Sequence, residues 1–113
     1  LRHNLEIAAQ TGAPVTQLHA MGGAANSKLW TQIKSDVTGL PIRSAKSDMA
    51  TTLGAAMLAG VATGVYKDYA QAVQQTVNME RSYVPNEENS SVYERGFCDY
   101  LKLYSQLETL MHG

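Results

Sequence analysis

One cysteine, Cys98, is too few for an internal disulfide, which predicts a reducing, cytoplasmic setting. Its neighbours Phe97 and Tyr100 predict a buried thiol, and with no activating partner in view it does not read as a nucleophile. Neither sign of charge is in excess, because nine Lys and Arg face ten Asp and Glu for a net charge of −1. Such a balance provides no broad basic face for nucleic acid and no polybasic arm for a membrane surface. Long apolar runs are missing as well. The most apolar stretch, Leu53–Val65, is short, dotted with glycine and interrupted by Thr63, so it reads as a core helix and not as a bilayer span. The chain contains no Gly-x-x-x-x-Gly-Lys-Ser/Thr and no Gly-x-Gly-x-x-Gly, which removes support for P-loop and Rossmann nucleotide sites. His3, His19 and His112 are scattered, with no pair at metal-site spacing on one helix face, so no metal ligands are expected here. The opening Leu1-Arg2-His3-Asn4-Leu5-Glu6 has neither an initiator Met nor a signal-peptide pattern, and reads as a helix already under way in a longer polypeptide.

What is present at 113 residues is one modest α/β domain or part of a larger one. Leu1, Leu5, Ala8 and Ala9 share a helical face, and Thr11-Gly12-Ala13-Pro14 ends the run. Residues 15–21 read as a short strand broken by Gly22-Gly23. Leu29, Trp30, Ile33 and Val37 recur at helical spacing, which puts Trp30 in the core, with Asn26 or Ser27 placed to cap and Gly39 to stop the helix. Pro41-Ile42-Arg43 makes a brief strand at best. Ser47 or Asp48 can cap a helix carrying Leu53, Met57 and Val61, a narrow face that is expected to lie open once a neighbouring lobe is absent. Residues 68–77 read as a short helix and 79–85 as an extended connector. Tyr93, Phe97, Tyr100, Leu101, Tyr104, Leu107 and Met111 then repeat every three to four residues, predicting a last helix docked by an aromatic stripe.

The segment Gly22-Gly23-Ala24-Ala25-Asn26-Ser27-Lys28-Leu29-Trp30 joins the first strand to the tryptophan-bearing helix. Two adjacent glycines let the main chain approach a ligand with no Cβ in the way, and the helix that follows points its positive end at the same place. That arrangement favours nucleotide phosphate. A plain tight turn between strand and helix is the other reading of the same pair.

Four blocks carry a wider similarity: Met21-Gly22-Gly23-Ala24-Ala25-Asn26-Ser27, Leu29-Trp30-Thr31-Gln32-Ile33, Asp36-Val37-Thr38-Gly39-Leu40-Pro41 and Leu53-Gly54-Ala55-Ala56-Met57-Leu58-Ala59-Gly60. In this order and spacing, and with the tail Tyr83-Val84-Pro85-Asn86, the chain resembles the C-terminal domain of the FGGY-family carbohydrate kinases from about Pro14 onward. The Asn-Ser-Lys-Leu-Trp form looks like the xylulose kinase and related pentulose or gluconate branches. The resemblance implies part of an actin-like, ribonuclease-H-like ATPase domain, with residues 1–113 forming the nucleotide-binding, C-terminal portion of the family's C-terminal domain.

It also implies ATP-dependent phosphorylation of a sugar hydroxyl, a pentulose such as xylulose first, with ATP and Mg2+ as cofactors. Gly22, Gly23 and Ala24 match the positions that line the nucleotide near its phosphates and ribose, and Asn26 and Ser27 the polar pair on the adenine or ribose side. The glycerol kinase branch has Asn-Asn and one more spacing residue at that pair. The family's catalytic aspartate, its magnesium carboxylates and most sugar contacts lie upstream of the matched region, and none of Asp36, Asp48, Asp68 or Asp99 sits in a motif matching that base. No catalytic residue is therefore assigned, and this segment alone is expected to be inactive. A homodimeric parent stays open, and so does a second class of function, a non-catalytic interaction or regulatory module on the same fold.

Overall fold

The computed structural model describes residues 1–12, 14–45 and 50–111, with the backbone alone at 104 and 109. The elements run α1 (Arg2–Gln10), β1 (Leu18–Ala20), a 3-10 turn (Gly23–Asn26), α2 (Lys28–Thr38), β2 (Ile42–Ala45), α3 (Ala50–Ala62), α4 (Tyr69–Thr76), β3 (Met79–Tyr83), a second 3-10 turn (Glu87–Asn89) and α5 (Ser90–Met111). The result is a helix-rich α/β unit around a three-stranded sheet of order β1-β2-β3. β1 and β2 are parallel and joined through α2, while β3 returns antiparallel to β2 with an irregularity between Ser44 and Ala45.

Local chemistry accounts for most of the boundaries. Gly12 (φ 83°) and Gly39 (φ 67°) take the left-handed conformation that closes α1 and α2. Of the two candidates at the start of α2, Ser27 makes the cap, its Oγ accepting from Trp30 N at 3.2 Å. Asp68 does the same for α4, accepting from Gln71 N at 2.8 Å. The expected caps Ser47 and Asp48 fall outside the described residues. The expected first strand shortens to Leu18–Ala20.

Two strands were underrated by pattern. β2 is no marginal strand but the centre of the sheet, with Ile42 and Ser44 each 2% exposed. Residues 79–83, expected as a connector, form β3, in which Met79, Arg81 and Tyr83 alternate inward against β2. An arginine at an inward position hides that alternation from a hydrophobicity reading.

α2 packs by the side opposite to the one its apolar residues mark. Thr31 and Ser35 are fully buried, whereas Leu29 and Trp30 are 73% and 50% exposed and Ile33 and Val37 only half-buried. Small side chains let the helix axis come close to the sheet, and each hydroxyl finds a carbonyl: Ser35 donates to Leu40 O at 2.8 Å and Thr31 to Ala25 O at 3.5 Å. The expectation that Trp30 is core is thereby corrected. Lys34 lies over its ring, 5.4 Å from the centroid.

The last helix is also corrected in part. Phe97 is buried and takes the Arg2 guanidinium over its ring at 4.1 Å, with Arg2 bonded to Glu94 at 2.7 Å, so the first turns of α5 do dock, against α1. Beyond them the stripe is open, with Tyr100 56% exposed and Leu107 and Met111 exposed too. Cys98 is exposed and not buried, because one residue along a helix turns the side chain about 100° away from the docked face of Phe97. No residue of α3 is fully buried, but Leu53, Met57 and Val61 are half-buried, with Thr76 Oγ1 of α4 donating to Met57 Sδ at 3.2 Å. The face expected to lie open is thus partly covered within the chain, and Leu58 on the other side is the exposed one.

Candidate functional site

The parallel pair β1 and β2 ends on the side of Met21-Gly22 and Ala45. In α/β sheets ligands settle outside the carboxyl ends of such strands. A largely apolar cavity of about 450 Å³ lies there, between the sheet, α3 and α4, with Met21, Ala45, Leu53, Met57 and Met79 in its wall. A second cleft, about 340 Å³, sits at the amino ends of the same strands, beside Pro14, Val15, Gly39 and Leu40, and is crossed by the Arg2–Glu94 pair. Strand direction and the ion pair both argue for the first as the ligand end.

The glycine pair lies on that end. Gly22 has φ 81° and ψ 178°, a conformation that side-chain-bearing residues rarely adopt, and so the chain turns out of β1 here. Gly23 opens the 3-10 turn with an ordinary φ, and a Cβ built on it meets nothing within 4 Å. The two glycines thus differ in kind. Gly22 answers to the backbone, while Gly23 answers to nothing within this chain.

The turn is held from behind. Ala25 N donates to Gly22 O at 2.9 Å, Thr31 Oγ1 reaches Ala25 O, and Arg81 Nη1 of β3 reaches Asn26 O at 3.4 Å. Ala25 is buried, whereas Gly23, Ala24, Asn26 and Ser27 are exposed and Gly22 half-buried. Among the described residues no acceptor takes the amides of Gly23 or Ala24. The structure therefore brings Gly22, Gly23, Ala24, Asn26 and Ser27 together on one exposed turn, with Ser27 Oγ engaged as the cap of α2.

Sequence reasoning passed over the group that anchors the far end of α2, away from this turn. Asp36, 8% exposed, accepts from Gln32 Nε2 at 2.7 Å, Asn86 N at 2.9 Å and Asn89 Nδ2 at 2.9 Å. Gln32 gives its other N–H to Val84 O at 2.7 Å. Helix α2 is thereby tied to the connector between β3 and α5. The signal was an aspartate in the last turns of a helix, where the macrodipole disfavours it, which requires a local compensation. Burial alone would push its carboxyl up, but the three donors more than offset this and hold it below the ordinary aspartate range. A group of this kind stabilises the fold fully above the unfolded value of about 3.9 and loses that contribution as pH falls through the lower folded value. The urea midpoint of the chain is thus expected to fall more steeply below about pH 4 than that of Asp36→Asn; parallel pH profiles would contradict it.

Among the described residues no group of three or more His, Cys, Asp and Glu side chains converges on a point. No described helix is long and apolar enough to cross a membrane.

Residues 1–63 match the model of the FGGY family of carbohydrate kinases, C-terminal domain. The chain is 37% identical over 106 residues to an autoinducer-2 kinase of Yersinia enterocolitica, covering 94% of this chain and 20% of that protein. It is 36% identical over 108 residues to the autoinducer-2 kinase of Salmonella paratyphi B, covering 96% of this chain and 20% of that one. In structure it is similar to ligand-bound xylulose kinase from Lactobacillus acidophilus, with TM-score 0.75, 25% identity, 85% of this chain and 19% of that chain. The fold alone is shared with xylulose kinase from Rhodospirillum rubrum, with TM-score 0.81, 24% identity, 99% of this chain and 23% of that chain. The chain spans about a fifth of the length of the curated relatives it matches.

Proposed function

Because the chain belongs to the FGGY family of carbohydrate kinases, in its C-terminal domain, we propose that it forms the ATP-side wall of a sugar kinase cleft. The fold is the actin-like ATPase fold of those kinases. In this reading residues 1–113 are the C-terminal portion of the domain, and a longer polypeptide supplies the catalytic base, the Mg2+ ligands and most contacts to the sugar. The observation that carries it is the exposed glycine turn at the carboxyl ends of the parallel strands, with two amides that meet no acceptor among the described residues and open space over Gly23.

Phosphoryl transfer requires that ATP and the acceptor hydroxyl be held in line and that negative charge on the phosphate oxygens be balanced. Gly22, Gly23 and Ala24 line the phosphates and ribose in this proposal, Gly23 and Ala24 through their N–H groups, and Asn26 and Ser27 stand on the ribose or adenine side. Because Ser27 Oγ already accepts from α2, its remaining capacity toward a ribose is a donated O–H.

The acceptor is read first as a pentulose such as xylulose, a reading supported by the likeness to the xylulose kinase from Lactobacillus acidophilus. A second reading, autoinducer-2, has its own observation, the 35–37% identity to kinases of that name. A coupled ADP-release assay on the full-length polypeptide, run with xylulose, gluconate and autoinducer-2, separates them by kcat/KM. ADP binding by calorimetry with no turnover on any of the three would favour a non-catalytic role instead, and absence of nucleotide binding would overturn the proposal.

A further inference from the structure

We propose that Arg81 is a positioning residue for the nucleotide, acting by fixing the Gly22–Asn26 turn against the sheet; this rests on the nucleotide reading given above. The 3-10 part of the turn, Gly23–Asn26, has only four residues and little internal structure to hold it. Gly22 O and Ala25 O accept from within the turn and from α2, and the last carbonyl, Asn26 O, accepts from Arg81 Nη1 at 3.4 Å across a sequence separation of 55 residues. The other supports, Gly22 O to Ala25 N and Ala25 O to Thr31, are local to the turn and α2, so Arg81 is the described hydrogen-bond link between the turn and β3.

The guanidinium is placed for this work by the strand. Arg81 pairs with Ser44 across the sheet, on the face that also carries Ile42 and Tyr83, and only a third of its side chain meets solvent. Its nearest carboxylate, Glu80, stands 3.8 Å from Nη2, too far for a tight pair, which leaves Nη1 to the carbonyl. An arginine that donates to a backbone carbonyl in a site meant for phosphate has a second consequence. Its positive charge sits behind the turn and reinforces the amides that face the anion, without itself being required to touch it. A lysine could supply the charge but not the planar fork that fits the carbonyl from a strand position.

The test is steady-state kinetics on the full-length polypeptide carrying Arg81→Met and Arg81→Lys. Arg81→Met is expected to raise the KM for ATP by about fivefold or more, with the sugar KM within about twofold, and Arg81→Lys to recover part of that loss. A melting temperature measured on each variant separates a displaced turn from a damaged fold. The inference is overturned if Arg81→Met leaves the KM for ATP unchanged, or if it lowers kcat and raises both KM values together with a lower melting temperature. A Gly23→Val variant run alongside tells the two readings apart: sensitivity to Gly23→Val with none to Arg81→Met removes Arg81 and keeps the nucleotide turn, whereas indifference to both removes the turn itself.

Discussion

Asp36→Ala is expected to destabilise the chain by about 2–3 kcal/mol, read as a lower urea midpoint at neutral pH. The aspartate is a buried acceptor for three donors from two elements: Gln32 within α2, and Asn86 N and Asn89 Nδ2 across the connector to α5. Truncation leaves these donors without their acceptor, and a buried polar group that loses its partner costs more than the bond was worth in net terms. The cost is spread unevenly. Asn86 is exposed and water can replace its acceptor, whereas Asn89 and Gln32 are half-buried and cannot recover as much. Asp36→Asn keeps the volume and one acceptor but places an NH2 where a second acceptor stood, so it should fall between wild type and alanine. A loss under about 0.5 kcal/mol for Asp36→Ala would mean that the network is decoration on a helix held by Thr31 and Ser35 alone.

This network also explains where reading the sequence stopped. Breakers and caps were legible, since Gly12, Gly39 and Ser27 act through local geometry that a few neighbouring residues determine. The glycine turn and its place between a strand and a helix were legible for the same reason. What failed were the inferences about which side of α2, of β3 and of the outer half of α5 faces the core. α2 shows apolar residues on one side and buries threonine and serine on the other, because close approach to a sheet rewards small side chains with satisfied hydroxyls over large apolar ones. β3 carries Arg81 inward because a carbonyl 55 residues away receives it. Trp30 and the outer half of α5 are exposed on a chain that spans a fifth of its relatives' length. Hydrophobic periodicity marks surfaces that are covered somewhere, and it does not say by what.

Gly23→Val in the full-length polypeptide is expected to raise the KM for ATP by about tenfold to a hundredfold, the loss of one hydrogen bond to a charged oxygen being worth roughly 1.5–3 kcal/mol. The choice between the two glycines decides what the experiment can mean. Gly22 sits at φ 81°, so any side chain there strains the backbone, and a kinetic defect could arise from a misfolded turn. Gly23 has an ordinary backbone conformation with no atom within 4 Å of a new Cβ, so valine there has space to enter within this chain. Its branched side chain would instead occupy the region outside the turn, where the phosphates are proposed to lie. The melting temperature should accordingly change little while the KM for ATP rises and the KM for the sugar stays within about twofold. Gly23→Ala, with one methyl in place of three carbons, should fall between wild type and valine, a graded response that follows from exclusion of a ligand and not from unfolding. Unchanged ATP kinetics in both variants, with the fold intact, would remove the nucleotide from this turn and leave it a plain connection between β1 and α2.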